Sequence, residues 1–293
     1  MDNVEKNKLI KPFAESVLFS DYEDTLTDFA EISLDEITKM VFESAPDILC
    51  DLPIVKSVVA ISKLGWSIKN ALVLRNQLTF IQTLKRGSPD YNAVKKRQEA
   101  LKSGENWIYK EIETTVVYLE RYTDTQKAKY QAKLYSDVLN GTISYSLYEE
   151  LLIILDNLFP QDIRYFLDIT NYSLSYNIEF LETKDLSKIS WGYCYERCRR
   201  LEYLGLLKGL ITTALGTSSI DKYTIDPSGY YLYHIFKEIR SAQCGCDFRI
   251  HCSAEIPVIC FSTDFCIPFN VDAFNNYEKD YLQSKNSDWN SKG

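Results

Sequence analysis

The stretch from Trp191 to Phe236 constrains the fold more than any other part of the sequence. Its first part, WGYCYERCRRLEYLGLL, has apolar residues at helical spacing, so one face is apolar and the opposite face is polar. This spacing predicts an amphipathic helix over 189–206 that ends at Gly205, with an inward face made of Cys194, Cys198, Leu201 and Leu204.

The residues after this helix predict a hairpin and a second helix. Leu210–Thr212 and Lys222–Ile225 are candidate strands, and Gly216–Ser219 is the predicted tip between them. Asp226 or Ser228 supplies an N-cap for the final helix. Its inward residues are expected to be Tyr231, Ile235 and Phe236.

The motif LEYLGLL followed by YTIDPSGYYL resembles winged-helix domains, over about residues 161–241. The resemblance implies that the helix over 189–204 reads a ligand and that the hairpin is a wing touching a nucleic-acid backbone. Carried over position by position, it implies that the contacts are Tyr193, Arg197, Arg200 and Lys222.

Charge leaves the ligand class open between protein and nucleic acid. Segment 186–222 has six bases and three acids, although the chain as a whole carries a net charge of -8. A local excess of bases favours an anionic ligand. DNA readers usually carry more bases directed at phosphate, and Glu196 is placed to pair with Arg200 on a solvated face. The alternative is a winged helix that docks protein.

An acidic block precedes a basic, apolar one near the N-terminus. Residues 21–51 contain ten acids and one base, whereas residues 52–89 contain six bases and no acid. Ser33 and Glu36 have capping-box spacing, which predicts a helix in the acidic block.

The basic block predicts helices over 54–64 and 66–86, the second apolar almost all round. One interpretation is contact with an anionic membrane interface through Lys56, Lys63, Trp66 and Lys69. The favoured alternative is a core hairpin of a helical body, with its bases matched by the acidic block.

Residues 90–158 predict further helices over 90–102, 106–121, 124–139 and 145–158, joined by short connections as in an antiparallel bundle. The segments ISKLGWSIKNALVLRNQLTFIQTL and YLERYTDTQKAKYQAKLYSDVLNGTISYSLYEELLIILDNL resemble a group of uncharacterised bacterial proteins, over roughly residues 50–160. That resemblance implies a helical body and no particular activity.

Candidates for chemistry are weak. Cys244, Cys246, His251 and Cys252 are the densest set of metal-ligand types, but their spacing departs from paired zinc knuckles. Short strands with cysteines as core fillers explain this region better, so no cofactor is expected, with zinc as the alternative. Glu111 with Glu113, and Glu149 with Glu150, are expected on solvated helix faces, and no phosphate-binding glycine motif occurs.

We therefore expect a mainly α protein with three parts: a helical bundle over 1–160, a winged-helix-like α/β domain over 161–241, and a Cys-containing β extension over 242–293. No signal peptide or long apolar run is present, which favours a cytoplasmic protein with reduced thiols. The expected function is non-enzymatic: a regulatory or adaptor protein that binds protein or nucleic acid. The alternative is a membrane-active effector, in stress or phage defence, that uses segment 54–86.

Overall fold

The computed structural model describes residues 3–19, 53–62, 68–175, 181–182, 194–214, 217–243, 258–262 and 265–268. These residues are mainly helical, as the sequence predicts. The chain divides into two compact units, Met1–Asp156 and Asn157–Gly293. The three-part division at about 160 and 241 stays a prediction, and the helix predicted in the acidic block lies outside the described residues.

The described part of the N-terminal unit is built from helices alone. In chain order they are α1 (Asn3–Phe19), α2 (Pro53–Ser62), α3 (Ile68–Arg86), α4 (Tyr91–Ser103), α5 (Asn106–Arg121), α6 (Thr125–Leu139) and α7 (Tyr145–Asn157). The ends of α2 to α7 lie within two residues of the predicted ends. Helix α1 has no counterpart among the predicted helices.

Local chemistry fixes both ends of α4 and of α6. The Asp90 carboxylate accepts from the Ala93 backbone N–H at the start of α4, and Asp124 accepts from Gln126 at the start of α6. Gly104 and Gly141 follow α4 and α6 at φ 74° and 70°, the left-handed region in which glycine is least strained.

Helix α3 lies in the core of the N-terminal unit. Every residue from Asn76 to Gln82 is buried, and the helix packs against α5 and α6. The Phe80 ring lies 5.8 Å from the rings of both Phe13 and Tyr135. The apolar side chains of α3 are therefore buried against neighbouring helices. Helix α3 could contact lipid only if it left this core.

Glu111 corrects one expectation from the sequence. The carboxylate is buried, with 4% of the residue exposed, and it pairs with Arg97 at 2.6 Å. The Tyr135 hydroxyl donates to the same carboxylate oxygen at 2.5 Å. The predicted solvated face was wrong for Glu111, because α4 and α6 cover this side of α5 with a guanidinium and a phenol. Glu113, Glu149 and Glu150 are exposed, as predicted.

The C-terminal unit combines helices with two small sheets. Its described elements are α8 (Pro160–Ser175), β1 (Leu181–Glu182), α9 (Cys194–Tyr203), β2 (Leu207–Ala214), β3 (Thr217–Ile225), α10 (Pro227–Gln243), β4 (Val258–Ser262) and β5 (Phe265–Pro268). The order helix, hairpin, helix follows the predicted order, while α8 has no counterpart among the predicted helices.

Strand β3 is central in the first sheet, which has the order β1-β3-β2 with antiparallel pairing. Ser218 pairs with Thr213 and Ser219 with Thr212. The predicted hairpin tip at Gly216–Ser219 was therefore wrong for residues 217–219. These residues belong to β3, because the ladder continues up to the pair Ala214 and Thr217 and leaves a two-residue connection.

A tight joint connects α9, the hairpin and α10. Gly205 ends α9 at φ 75°, and the Leu206 N–H then bonds the Leu201 carbonyl at 2.9 Å. The Leu206 carbonyl accepts from the Asp226 N–H at 3.0 Å, and the Asp226 carboxylate caps α10 by accepting from Ser228. The start of α10 is thus held at the end of α9.

Helix α10 shows a second correction to its predicted inward face. Ile235 and Phe236 are buried as predicted, but Tyr231 is only half-buried. Tyr230 and Tyr233 are the buried tyrosines instead. The Tyr233 hydroxyl donates to the Asn171 side chain of α8, a helix that was not predicted from the sequence.

Two short strands near the C-terminus confirm the prediction of β structure there. Strands β4 and β5 pair antiparallel, with Cys260 opposite Cys266. Among the helices that the structure describes, none combines the length and apolar character needed to cross a membrane.

Candidate binding surface

Helix α9 presents one face to the core of the C-terminal unit and the other to solvent. Cys198, Leu201 and Leu204 are buried, as their helical spacing predicts. The Cys198 sulfur lies 3.7 Å from the Tyr165 hydroxyl of α8, and α9 also packs against β2. These contacts fix the orientation of the residues on the outward face. The Cys194 side chain lies outside the described residues.

The Arg200 guanidinium is held in place by three groups. Its Nε donates to Asp162 Oδ2 at 3.0 Å, and its Nη2 donates to the Asn157 carbonyl at 2.9 Å. The guanidinium carbon also lies 4.7 Å from the centre of the Phe159 ring. Although 38% of the Arg200 side chain is exposed, Asp162 neutralises its charge. The salt-bridge partner is therefore Asp162 of α8, where the sequence offered Glu196.

Arg197 lies one turn before Arg200 and is exposed. Its guanidinium carbon lies 5.4 Å from the centre of the Tyr165 ring, a cation–π contact. Arg199, between the two, is also exposed. Tyr203, at the end of α9, is 89% exposed.

Phe159 and Asp162 both contact Arg200, although neither was predicted as a site residue. The Asp162 carboxylate accepts from the Phe159 N–H at 2.8 Å and so caps the start of α8. Phe159 is 63% exposed. Pro160 followed by an acid two residues later is a helix-start signal that would have placed α8. No local signal in the sequence links Asp162 to Arg200, 38 residues away.

We use the name arginine–aromatic surface for Phe159, Arg197, Arg200 and Tyr203. Of the predicted contacts, Arg197 and Arg200 lie on it. Lys222 lies on β3, half-buried, and Tyr193 lies outside the described residues. The surface carries guanidinium groups beside exposed rings, which suits recognition of carboxylates and of apolar or aromatic groups.

The other predicted sites are placed only in part. Lys56 and Lys69 are exposed on α2 and α3, whereas Lys63 and Trp66 lie outside the described residues. The candidate metal ligands Cys244, Cys246, His251 and Cys252 also lie outside them. Within the described ranges, no group of three or more His, Cys, Asp or Glu side chains is arranged to hold a metal ion.

His234 and Lys237, both on α10, have lowered pKa values. Burial, and secondarily the nearby charge of Lys237, lower the pKa of His234 on α10 to about 4. Burial also lowers the pKa of Lys237 to about 8. The His234 ring packs edge-on against Tyr230, 4.9 Å between centres. With a pKa of about 4, the His234 imidazole is neutral at pH 7.

Comparison with known proteins gave no matching family model, no matching curated protein and no matching solved structure. What the chain does must therefore be inferred from its own residues.

Proposed function

We propose that this chain is a non-enzymatic regulatory or adaptor protein that acts by binding. In this proposal the C-terminal unit is a winged helix, with α9 as its reader and the β2–β3 hairpin as its wing. The observation that carries the proposal is the exposure of Arg197 on a helix followed directly by a paired antiparallel hairpin. Had Arg197 been sealed in the core, a docking role for α9 would have had no support.

Further support comes from how α9 is held. The inward residues of α9 pack on α8 and β2, and Arg200 is fixed by three contacts. A side chain that is already immobilised loses less entropy on binding than a free one. The outward face is therefore preorganised for a ligand of complementary shape and charge.

Binding measurements with the full chain test this proposal. Fluorescence anisotropy with duplex DNA, single-stranded RNA and acidic peptides should give a saturable isotherm for at least one class. Arg197→Ala should weaken that binding, whereas Lys95→Ala, which removes an exposed cation from α4, serves as the matched control. If no probe binds, or if both variants behave alike, the docking role of α9 is wrong.

A salt titration then separates the ligand classes. Nucleic-acid affinity should fall steeply with salt, since each neutralised phosphate releases counterions. Protein docking through rings and a few ion pairs should depend on salt much less.

A further inference from the structure

We infer that the ligand of the arginine–aromatic surface is a protein, recognised through an acidic segment that also carries apolar side chains. This inference rests on the proposed binding function and names the class of partner. Nucleic acid is the competing class.

The exposed rings give the first reason. Phe159 and Tyr203 are both large and exposed. The Phe159 ring packs against the Arg200 guanidinium. Tyr203 follows Arg200 by three residues on α9, so the two side chains are neighbours on the helix surface. Aromatic residues and arginine are the types that dominate the binding energy of protein interfaces. The water-exposed ring area here would be removed from solvent by an apolar side chain of the partner.

The charge balance gives the second reason. Asp162 neutralises Arg200, and the Glu202 carboxylate accepts from the Gly209 N–H close to the base of the hairpin. Glu196 is exposed on the same helix as the arginines. A polyphosphate ligand requires many unopposed cations, because phosphate contacts supply most of its affinity. The outward face of α9 has too many carboxylates for that ligand.

The type of cation gives the third reason. The chain has 23 lysines and 10 arginines, yet every cation of α9 is an arginine. Phosphate is bound by lysine as well as by arginine, whereas protein interfaces are enriched in arginine and depleted in lysine. The presence of arginine alone among the cations of α9 fits bidentate pairing with carboxylates.

The occupant follows from charge and shape together. Arg197, supported by the Tyr165 ring, offers a guanidinium for a partner carboxylate. Phe159 and Tyr203 offer apolar area beside it. A segment with acids and apolar side chains at neighbouring positions satisfies both, so its acids should lie near Arg197 and its apolar groups near the rings.

The test uses the full chain and four labelled probes. The first is a peptide in which glutamates alternate with leucines, and the second replaces those leucines by glutamines. The third and fourth are duplex DNA and single-stranded RNA. The variants are Tyr203→Ala, Phe159→Leu and Arg197→Lys. Tyr91→Ala is the matched control, because Tyr91 on α4 is also an open tyrosine, at 75% exposed.

We expect the glutamate–leucine peptide to bind best. Tyr203→Ala should weaken it by about tenfold or more, the size typical of a residue at the centre of an interface. Phe159→Leu should weaken it less, since some apolar area is retained. Arg197→Lys should also weaken it, because lysine cannot make the bidentate contact, and Tyr91→Ala should leave it unchanged.

Three results would overturn the inference. If DNA or RNA binds more tightly than either peptide and Arg197→Ala abolishes that binding, the partner class is wrong while the proposed function stands. If the peptides bind but Tyr203→Ala and Phe159→Leu have no effect, the rings are not part of the interface. If none of the probes binds, both the inference and the proposed function fail.

Discussion

Glu111 is the single residue whose surroundings differ most from what its sequence context suggests. It belongs to an ordinary amphipathic helix, yet the fold places its carboxylate between Arg97 and the Tyr135 hydroxyl. Arg97 in turn lies 5.9 Å from the centres of both the Trp107 and the Tyr135 rings. Such a buried pair depends on both partners, because either charge left alone in the interior is costly.

We expect Glu111→Gln to destabilise the N-terminal unit by about 3 kcal/mol, since it leaves the Arg97 guanidinium buried without its anion. Asp156→Asn is the matched control, because the pair between Arg121 and Asp156 lies at the surface, with 55% of the Arg121 side chain exposed. Its loss should cost at most about 1 kcal/mol. Urea unfolding of both variants measures the difference, and equal losses would mean that Glu111 is not an essential partner.

His234 makes the stability of the C-terminal unit depend on pH. Its pKa is about 4 in the folded chain, against a model-peptide value of 6.5. Between these values the unfolded chain binds more protons, so stability must rise with pH across this window and fall as the pH is lowered through it. The neutral imidazole is the form that packs against Tyr230.

We expect His234→Gln to flatten this dependence, removing a change of roughly 1–3 kcal/mol between pH 6.5 and pH 4. Thermal unfolding at a series of pH values, compared between the variant and the natural chain, measures it. The other ionisable groups are the same in both proteins, so their contributions cancel in the difference. An unchanged slope would show that His234 is protonated in the folded state at pH 6.

At the scale of elements, the joint between α9, the hairpin and α10 is set by the close approach of two backbones. Gly229, in the first turn of α10, lies directly against Leu206. A Cβ at position 229 would overlap the Leu206 carbonyl oxygen and lie 2.9 Å from the Leu206 Cα. Glycine is needed here because the obstacle is backbone and cannot rotate away.

Gly229→Ala should therefore destabilise the C-terminal unit by about 1–3 kcal/mol, the usual cost of overpacking, despite the higher helix propensity of alanine. Ser228→Ala, one residue earlier in the same turn, is the control and should change stability little. Calorimetry of both variants decides the point. A stabilised Gly229→Ala protein would show that propensity outweighs the contact and that α10 is free to shift from Leu206.

At the scale of the whole molecule, the two units have separate cores with different chemistry. The N-terminal core is built around α3 with buried polar groups such as Asn76 and Gln131, which bond backbone carbonyls of α5. The C-terminal core is aromatic, with Tyr230, Tyr233 and Phe236 buried on α10. Units with their own cores are the usual units of cooperative unfolding.

We expect the two stability variants to act selectively. Glu111→Gln should increase hydrogen exchange mainly at buried amides of α5 and α6, whereas Gly229→Ala should increase it mainly at α9, β2 and α10. Peptide-resolved hydrogen–deuterium exchange measures this. If either variant raises exchange equally across residues of both units, the molecule unfolds as a single cooperative unit.

Most helix bounds in the N-terminal unit could be predicted from the sequence, because their signals are local. Caps such as Asp90 and Asp124, and stops such as Gly104 and Gly141, act within a few residues. Helix α8 was not predicted, although Pro160 and Asp162 carry a helix-start signal. The hairpin tip was misplaced because serine is common in turns, whereas Ser218 and Ser219 here pair with residues of β2.

The sequence by itself determined that α9 has an apolar face containing Cys198, Leu201 and Leu204, since a helical period of 3.6 residues follows from local spacing alone. It also determined that a hairpin and a second helix follow. Only the tertiary structure decided which groups meet the arginines of α9: Asp162 and Phe159 for Arg200, and Tyr165 for Arg197. These partners lie on α8 or directly before its first residue, more than 30 residues earlier, and packing between helices, which no local spacing encodes, brings them together.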